Sequence, residues 1–419
     1  MNLIKTSVLT TISTIIKILS GFLINKMMAI YIGPAGLAMV GPLQNFNTFV
    51  TTLSNGAITQ GVVKYVAEYD TLERKKGIFS TSVVVSLLCS FSIGVILFIF
   101  NLELSILILK SDEYASVFTL FSFTIVLFAL NTMLMAILNG QKEIKKYVYI
   151  NIVNSLVILI LTYLLIVELN IIGVFYALVT GQSVVFFITL FFVIKAKWFR
   201  WEYFLNGPDR KSLVKLSKFS LMALTSAITV PVSHIIIRNY IGENLSWSDA
   251  GYWQGMWYIS TMYLLIITTA LSVYYLPRLS SISEKKYIKK EIIYGYKIVI
   301  PIAIVLSLLV YTFRYAIIEV AFTADFYQME VLFKWQLIGD IIKIFAWILG
   351  YVLIAKAMSA VYIYTEIIFS ILFVLSSIYF LDKFGLIGMS YSFAFYNLIY
   401  SIYLIVILNV YFFNKSDAQ

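Results

Sequence analysis

Hydrophobic and polar positions divide the chain into long apolar runs separated by short polar connections. An α-helix rises about 1.5 Å per residue, so about 20 apolar residues cross the roughly 30 Å hydrocarbon core of a bilayer. The runs near or above that length lie at 7–31, 38–63, 79–101, 115–138, 147–167, 171–194, 219–241, 252–277, 298–318, 331–355, 358–380 and 385–412. The pattern therefore predicts an all-α polytopic membrane protein with twelve spanning helices.

Lysine and arginine are concentrated on alternate connections between these runs. The even-numbered connections carry 19 of them, in groups that begin at Arg74, Lys142, Lys195 and Arg278, against 4 on the odd-numbered connections. Short cytoplasmic loops carry an excess of Lys and Arg. The bias therefore predicts that both termini are cytoplasmic.

The longest polar connection, 196–218, is basic and aromatic, which is typical of an amphipathic segment on an anionic membrane surface. It separates a predicted N-terminal lobe, 1–195, from a predicted C-terminal lobe, 219–419. The halves are weakly similar, since AIYIGPAGLAMVGP at 29–42 is echoed by RNYIGENLSWSDAGYWQG at 238–255. Parallel repeats of this kind predict two six-helix lobes around a central cavity, with substrate between them near the midplane.

The amino-acid composition excludes several classes of function. The chain is 61% hydrophobic and 12% charged, against about 25% charged in soluble domains. The net charge of +10 is explained by the basic connections, so no nucleic-acid partner is expected. With one cysteine, Cys89, and one histidine, His234, neither a disulfide framework nor a Cys/His zinc site can form. We expect no metal, no cofactor and no enzymatic activity, because a Ser-His-Asp site would have to be built on a histidine inside a predicted helix.

Lys17 lies near the middle of the first predicted span. A charge at that depth costs about 2.5–3.5 kcal/mol on insertion scales, so such a residue normally faces a protein interior or a water-filled cavity. The deep acids, Asp340 and Glu366, both lie in the C-terminal half. An anionic substrate is therefore favoured over a structural ion pair. Lys26 lies on the opposite helix face, where snorkelling to the interface is an equal alternative.

Further basic residues extend this set. His234 and Arg238 are four apart, on one face of the seventh predicted span, after a kink expected at Pro231. Lys64 and Arg278 lie at predicted cytoplasmic ends, where ordinary interface anchoring is the alternative. The predicted substrate-binding residues are Lys17, Lys26, Lys64, His234, Arg238 and Arg278. An aromatic belt at the outer interface is expected from Trp247, Trp253, Trp257 and Tyr258.

Two other groups of polar residues could contribute. Steps of 3, 4, 3 and 4 predict one polar helix face, formed by Asn45, Thr48, Thr52, Asn55 and Thr59. This face is either a water-facing cavity wall or a helix–helix contact. Asp340 and Lys343 are three apart, which predicts a local ion pair, with Glu366 as a third member. The alternative is a proton or cation site that drives transport.

Five segments carry a family resemblance: YIGPAGL (31–37), LSKFSLMALTSAITVPVSHIIIR (216–238), SWSDAGYWQGMWYIS (246–260), LSVYYLPRLSSISEKK (271–286) and FKWQLIGDIIKIFAWILGYVLIAKA (333–357). Through them the chain resembles the Wzx-type flippases of the multidrug/oligosaccharidyl-lipid/polysaccharide exporter superfamily. The resemblance covers the whole chain and is greatest to members that transport lipid III, the lipid-linked trisaccharide of enterobacterial common antigen. It implies a central cationic cavity, although lysines stand here where arginines are expected.

The resemblance also implies a function. The substrate would be an undecaprenyl-pyrophosphate-linked glycan, flipped from the cytoplasmic to the periplasmic leaflet of the bacterial inner membrane by alternating access. Membrane lipids and the polymerase and chain-length proteins of the same pathway would be partners. The alternatives are an O-antigen repeat-unit flippase, a cation-coupled drug exporter of the same superfamily, and a polysaccharide polymerase or ligase. A drug exporter is expected to hold acids deep in its N-terminal half, and a polymerase needs a large extracytoplasmic loop; the sequence predicts neither.

Overall fold

The computed structural model describes residues 3–413, apart from 70, 142, 272–274, 276–277, 280–281, 283 and 357. The side chains of 3–11, 72, 218–219, 222, 269–270 and 411–413 are also outside the described part. Lys142, which contributed to the predicted orientation, is therefore not described, and neither is most of the end of the eighth predicted span.

The described chain is helical almost throughout and contains no strand. The helices are α1 (Leu3–Ser54), α2 (Thr59–Glu68), α3 (Leu72–Ile99), α4 (Asn101–Leu109), α5 (Ala115–Gly140), α6 (Ile144–Ile194), α7 (Glu202–Leu205), α8 (Arg210–Asn244), α9 (Trp247–Ala270), α10 (Lys285–Thr312), α11 (Arg314–Ala321), α12 (Glu330–Ala355), α13 (Ser359–Phe384) and α14 (Ile387–Phe413). This confirms the all-α prediction.

Eight helices of the described part are long and apolar enough to cross a membrane. Two of them, α1 and α6, far exceed one spanning length, and each is broken by one residue with a positive φ. Gly33 has φ 61° in α1, and Asn170 has φ 51° in α6. Both breaks fall between predicted spans. Eight candidate spans confirm a multi-pass membrane protein, and the count of twelve stays a prediction.

The predicted span 38–63 is wrong as a single helix. The first helix ends at Ser54, Gly56 and Ala57 have φ values of 61° and 54°, and α2 begins at Thr59. Left-handed backbone at two successive residues cannot continue an α-helix. Thr59 therefore does not extend the polar face that Asn45, Thr48 and Thr52 share.

The chain divides into two compact units, unit 1 (Met1–Val232) and unit 2 (Ser233–Gln419). The division falls within the range of α8, between Val232 and Ser233. The apolar core of unit 1 includes residues from α2, α3, α5 and α6. The core of unit 2 is built around α9, α10, α12 and α14. The lobe boundaries at 195 and 219 stay a prediction.

The connection 196–218 packs against other helices of unit 1. Tyr203 and Phe204 are each 7% exposed and belong to the core of unit 1. The Phe204 ring stacks on Phe79 of α3 with centroids 5.4 Å apart, and the Trp198 ring lies 5.6 Å from the same ring. The predicted amphipathic segment therefore buries aromatic rings in protein, while Trp201 remains exposed.

Asp209 fixes the start of α8. Its Oδ2 accepts hydrogen bonds from the hydroxyl of Ser212 at 2.7 Å and from the Ser212 amide at 2.9 Å. The Ser212 hydroxyl, followed by that amide, holds the pKa of the Asp209 carboxyl below its ordinary value. The Asp209 amide donates to Thr81 Oγ1 of α3 at 2.9 Å. Gly77 permits this approach, because a Cβ there would lie 2.9 Å from Ser212 Oγ.

Candidate functional site

The basic residues predicted in unit 1 lie on two helices. Lys17 on α1 is exposed, Lys26 on the same helix is partly buried, and Lys64 on α2 is exposed. The Lys64 ammonium lies 5.4 Å from the centroid of the Tyr65 ring. Lys215, which the sequence analysis did not single out, donates to the Tyr69 hydroxyl at 2.5 Å and lies 5.5 Å from the Tyr65 ring. Lys64 and Lys215 therefore share one tyrosine ring.

The polar face predicted around α1 uses three of its side-chain donors within the local backbone. The Thr48 hydroxyl donates to Gln44 O at 2.9 Å, and the Thr52 hydroxyl donates to Thr48 O at 2.8 Å. The Asn55 side-chain amide donates to Thr51 O, also at 2.8 Å. Each of these three donors is satisfied four residues back, whereas Asn45 Nδ2 finds no acceptor among the described residues. The role of this face as a cavity wall stays a prediction.

Unit 2 contains a group that we call the basic cluster: His234 and Arg238 on α8, Trp253, Gln254 and Trp257 on α9, and Lys343 on α12. Trp257 and Lys343 are partly buried, and the other four are buried. The turn between α8 and α9 brings the members on those two helices together, and α12 packs Lys343 against Trp257. Ser246 caps α9, accepting from the Asp249 amide at 2.9 Å and donating to its carboxylate at 2.6 Å. The hairpin is tight, because a Cβ on Gly242 would lie 2.6 Å from the Trp247 ring.

Arg238 is 1% exposed and is the most constrained cation of the basic cluster. Its Nη2 donates to Gln254 Oε1, and its guanidinium carbon lies 5.2 Å from the centroid of the Trp253 ring. Its Nε and Nη1 find no hydrogen-bond acceptor among the described residues. An unsatisfied buried donor costs about 1–3 kcal/mol. The guanidinium is therefore held at a cost to stability, with two donors ready for an acceptor.

His234 and Lys343 complete the cluster through aromatic contacts. His234 is 4% exposed, and its ring lies 4.3 Å from Trp257 and 5.3 Å from Trp253. The Lys343 ammonium lies 4.7 Å from the Trp257 ring and 4.8 Å from the Trp347 ring. Cations over indole faces are stabilised by the ring quadrupole. Trp253, expected in an aromatic belt, is instead buried beside Arg238.

Asp340 is fully buried, one helix turn from Lys343, and takes its partners from α9. Its Oδ2 accepts from Ser260 Oγ at 2.7 Å and from the Tyr263 hydroxyl at 2.9 Å. The salt bridges of the described residues do not include Asp340 and Lys343. The predicted direct ion pair is therefore replaced by hydroxyl donors on the carboxylate and aromatic rings around the ammonium. Electrostatic coupling between the two groups persists.

Glu366 and Arg278 have other neighbours. Glu366 on α13 interacts electrostatically with Tyr396 and Tyr400 of α14, which are not the partners of Asp340. Arg278 pairs with Glu291 of α10, with Nε and Oε2 3.5 Å apart. The structure thus brings His234, Arg238 and Lys343 together, whereas Arg278 has a carboxylate of its own.

Residues 3–283 match the family model described as polysaccharide biosynthesis protein. The chain is 31% identical over 368 residues to the lipid III flippase of Escherichia coli (strain K12), covering 88% of each chain. The lipid III flippase of Shigella flexneri matches with the same identity and coverage.

Two solved structures illustrate the fold. An inward-facing multidrug resistance transporter of the MATE family of the MOP superfamily superposes with a TM-score of 0.78 at 14% identity, covering 95% of this chain and 98% of that one. The lipid II flippase MurJ in an inward closed conformation gives 0.70 at 18% identity, covering 97% and 87%. Identities this low establish the fold alone, which is that of MOP-superfamily transporters.

Proposed function

We propose, since the chain belongs to the polysaccharide biosynthesis protein family, that it flips a lipid-linked oligosaccharide across the membrane. The lipid III flippases it resembles over most of their length support lipid III, an undecaprenyl-pyrophosphate-linked glycan, as the substrate. The protein carries the glycan from the cytoplasmic to the periplasmic leaflet of the bacterial inner membrane and catalyses no covalent step. The polymerase and chain-length proteins of the same pathway are its proposed partners. The drug exporters share the fold at much lower sequence identity, so they give less support to a drug as the substrate.

One observation carries the proposal: Arg238 is buried with two donors that lack acceptors among the described residues. A pyrophosphate cannot enter hydrocarbon unaided, because each unpaired charge costs several kcal/mol. Guanidinium groups bind phosphate through paired N–H donors, and lysines act as point charges. A transporter that alternates between two states can present Arg238 to the headgroup in one of them and bury it in the other.

The other proposed substrate contacts are cationic or offer oxygen acceptors. Lys17, Lys26 and Lys64 attract the pyrophosphate, with His234 beside Arg238. The acceptors of Asn45, Thr48, Thr52 and Asn55 contact sugar hydroxyls and water. Arg278 is a weaker candidate for a substrate contact than these residues, because Glu291 offsets its charge. Asp340, which accepts hydrogen bonds from the hydroxyls of Ser260 and Tyr263, either stabilises the fold or couples transport to a proton or cation.

We propose the topology that this function needs: twelve spans in two six-helix lobes around a central cavity, with both termini cytoplasmic. The breaks in α1 and α6 turn the eight candidate helices into ten segments, and α8 and α9 supply two more. Reporter fusions after residues 110 and 248 should be extracytoplasmic, and fusions after 142 and 288 cytoplasmic. One reversed reporter contradicts the arrangement.

Substitution of Lys17 tests the substrate. In a strain lacking its own lipid III flippase, the chain should restore export, and Lys17→Ala should reduce it while protein levels in the membrane stay normal. Lys17→Arg should retain part of the activity, because it keeps the charge. The measurement is accumulation of the lipid-linked trisaccharide, and exposed Lys334, changed to alanine, is the matched control. Full export by Lys17→Ala removes Lys17 from the site, and no export by the unchanged chain rejects lipid III.

A further inference from the structure

Unit 2 contains a second polar site, in the connection between α9 and α10 and the first turns of α10. It is a cavity of about 570 Å³, lined by Arg278, Ile282, Glu284, Tyr287, Lys290 and Glu291. We call it the α10 pocket. Its volume falls within the range of about 300–1,000 Å³ that is typical of small-molecule sites. Only Arg278 of these residues entered the proposed transport path.

The α10 pocket is lined by two bases and two acids, and its formal charge is therefore balanced. The central pair is Arg278 Nε and Glu291 Oε2, at 3.5 Å. Charge-assisted hydrogen bonds of this type are about 2.7–2.9 Å long, so this contact is loose. The Glu291 side chain is 12% exposed and that of Arg278 is 54% exposed. A ligand that carries both charges can therefore bind the pair, with its cation at Glu291 and its anion at Arg278 and Lys290.

Residues that do not line the α10 pocket hold the backbone around it in place. The Lys356 ammonium, at the end of α12, donates to Leu279 O at 2.9 Å and to Ile282 O. Ile288 and Ile292 are 0% and 6% exposed, so they hold this part of α10 against the core of unit 2. Glu284, Tyr287 and Glu291 follow at steps of 3 and 4 and share one helix face. These contacts hold the backbone at Leu279, at Ile282 and along the first turns of α10, from which the lining side chains project.

The course of α10 places this pocket beside lipid. The first turns of the helix carry exposed lysines, Lys286, Lys289 and Lys290. From Ile298 onward the outward-facing residues are apolar, with Ile302 46% and Val305 55% exposed. A basic turn followed by an apolar face is expected at the boundary between lipid headgroups and hydrocarbon.

We propose that the α10 pocket binds the zwitterionic headgroup of phosphatidylethanolamine. Its primary ammonium donates hydrogen bonds to Glu291 and Glu284, and its phosphodiester contacts Arg278 and Lys290. A quaternary choline headgroup has no N–H donor for the carboxylates, and a purely anionic headgroup meets two acids. The pocket therefore discriminates among headgroups by both charges at once. This inference concerns a resident lipid and does not depend on the transported substrate.

Native mass spectrometry of the purified full-length protein tests this assignment. The probes are phosphatidylethanolamine, phosphatidylcholine and phosphatidylglycerol with identical acyl chains. We expect phosphatidylethanolamine to be retained about tenfold more than either competitor, and we expect Glu291→Gln and Arg278→Gln each to abolish that preference. Lys334→Gln is the control and should leave it unchanged. Soluble glycerophosphoethanolamine should compete, which identifies the headgroup as the recognised part.

Three outcomes overturn the assignment: equal retention of the ethanolamine and choline lipids, stronger retention of phosphatidylglycerol, or a preference that survives both pocket substitutions. If either substituted protein aggregates, Glu284→Gln on the exposed rim replaces it and should weaken the same preference. Lipid III export is scored separately, so failure of the transport proposal leaves this result interpretable.

Discussion

Replacing Arg238 with methionine should separate stability from transport. The substitution removes two buried donors without acceptors, each costing about 1–3 kcal/mol, so it relieves about 2–6 kcal/mol. It also removes the hydrogen bond from Arg238 Nη2 to Gln254 Oε1, at about 1–3 kcal/mol, and a cation–π contact with Trp253, worth about 0.5–2 kcal/mol. With the middle value of each range, the balance is a gain of about 1 kcal/mol in the free energy of unfolding.

A second substitution amplifies the effect. Arg238→Met combined with Gln254→Leu replaces both partners of that hydrogen bond by apolar side chains, which restores about 1–3 kcal/mol. Unit 2 comprises residues 233–419, and for a domain of that size 1 kcal/mol corresponds to about 2–4 °C in the unfolding midpoint. The single variant should therefore unfold slightly later than the parent and the double variant several degrees later. Neither should export lipid III, and Arg238→Lys should export it weakly, because it keeps the charge and loses the paired donors.

The assays are thermal unfolding of the purified protein and export in the flippase-deficient strain. A midpoint several degrees lower for Arg238→Met would refute the energetic account, since the guanidinium would then be stabilising. Normal export by a well-folded methionine variant would refute its role in binding the headgroup. If all three variants have the stability of the parent and do not export, the result supports headgroup binding by Arg238 and contradicts only the predicted gain in stability.

Two further predictions concern the packing of unit 1. Gly77→Ala should destabilise unit 1 by about 1–3 kcal/mol, because the new methyl group would lie 2.9 Å from Ser212 Oγ. Gly350→Ala is the control: the nearest neighbour of its methyl group lies 4.0 Å away, so the unfolding midpoint should stay nearly unchanged. Equal midpoints for the two variants would contradict the close approach of α3 and α8. Phe204→Ala should lower the free energy of unfolding by about 3–5 kcal/mol and expose the connection 196–218 to limited proteolysis, because the Phe204 ring stacks on Phe79. If the connection stays protected in that variant, the Phe204 ring is not needed to hold it.

Hydrophobic length predicted much of the fold. Apolar runs located α5, α12, α13 and α14 to within a few residues, whereas α3 and α10 begin well before their predicted runs, in basic segments. The gap between the runs 7–31 and 38–63 contains the break in α1, which falls at Gly33, a residue that tolerates positive φ. These signals are local, so one sequence suffices to find them.

The break after Ser54 was missed although a local signal existed. Asn55–Gly56 is a common turn dipeptide, and it outweighs a polar spacing that happens to continue to Thr59. Periodicity alone treated both sides of the turn as one helix.

The partners of the deep polar residues depend on contacts distant in sequence. Asp340 accepts from Ser260 and Tyr263, which lie 80 and 77 residues away. The spacing to Lys343 suggested a salt bridge, but that ammonium lies over rings contributed by α9 and its own helix. Nothing local in the sequence ranks two hydroxyls above a lysine as partners of a carboxylate.

The crowding of indoles around the cations has a practical consequence. Of the seven tryptophans in the chain, Trp253 lies against Arg238, and Trp257 and Trp347 flank Lys343. Indole emission responds to nearby charge, so a shift of either cation during a transport cycle changes the intrinsic fluorescence. The protein thus carries its own optical readout of the cluster, and no dye or label is needed to follow it.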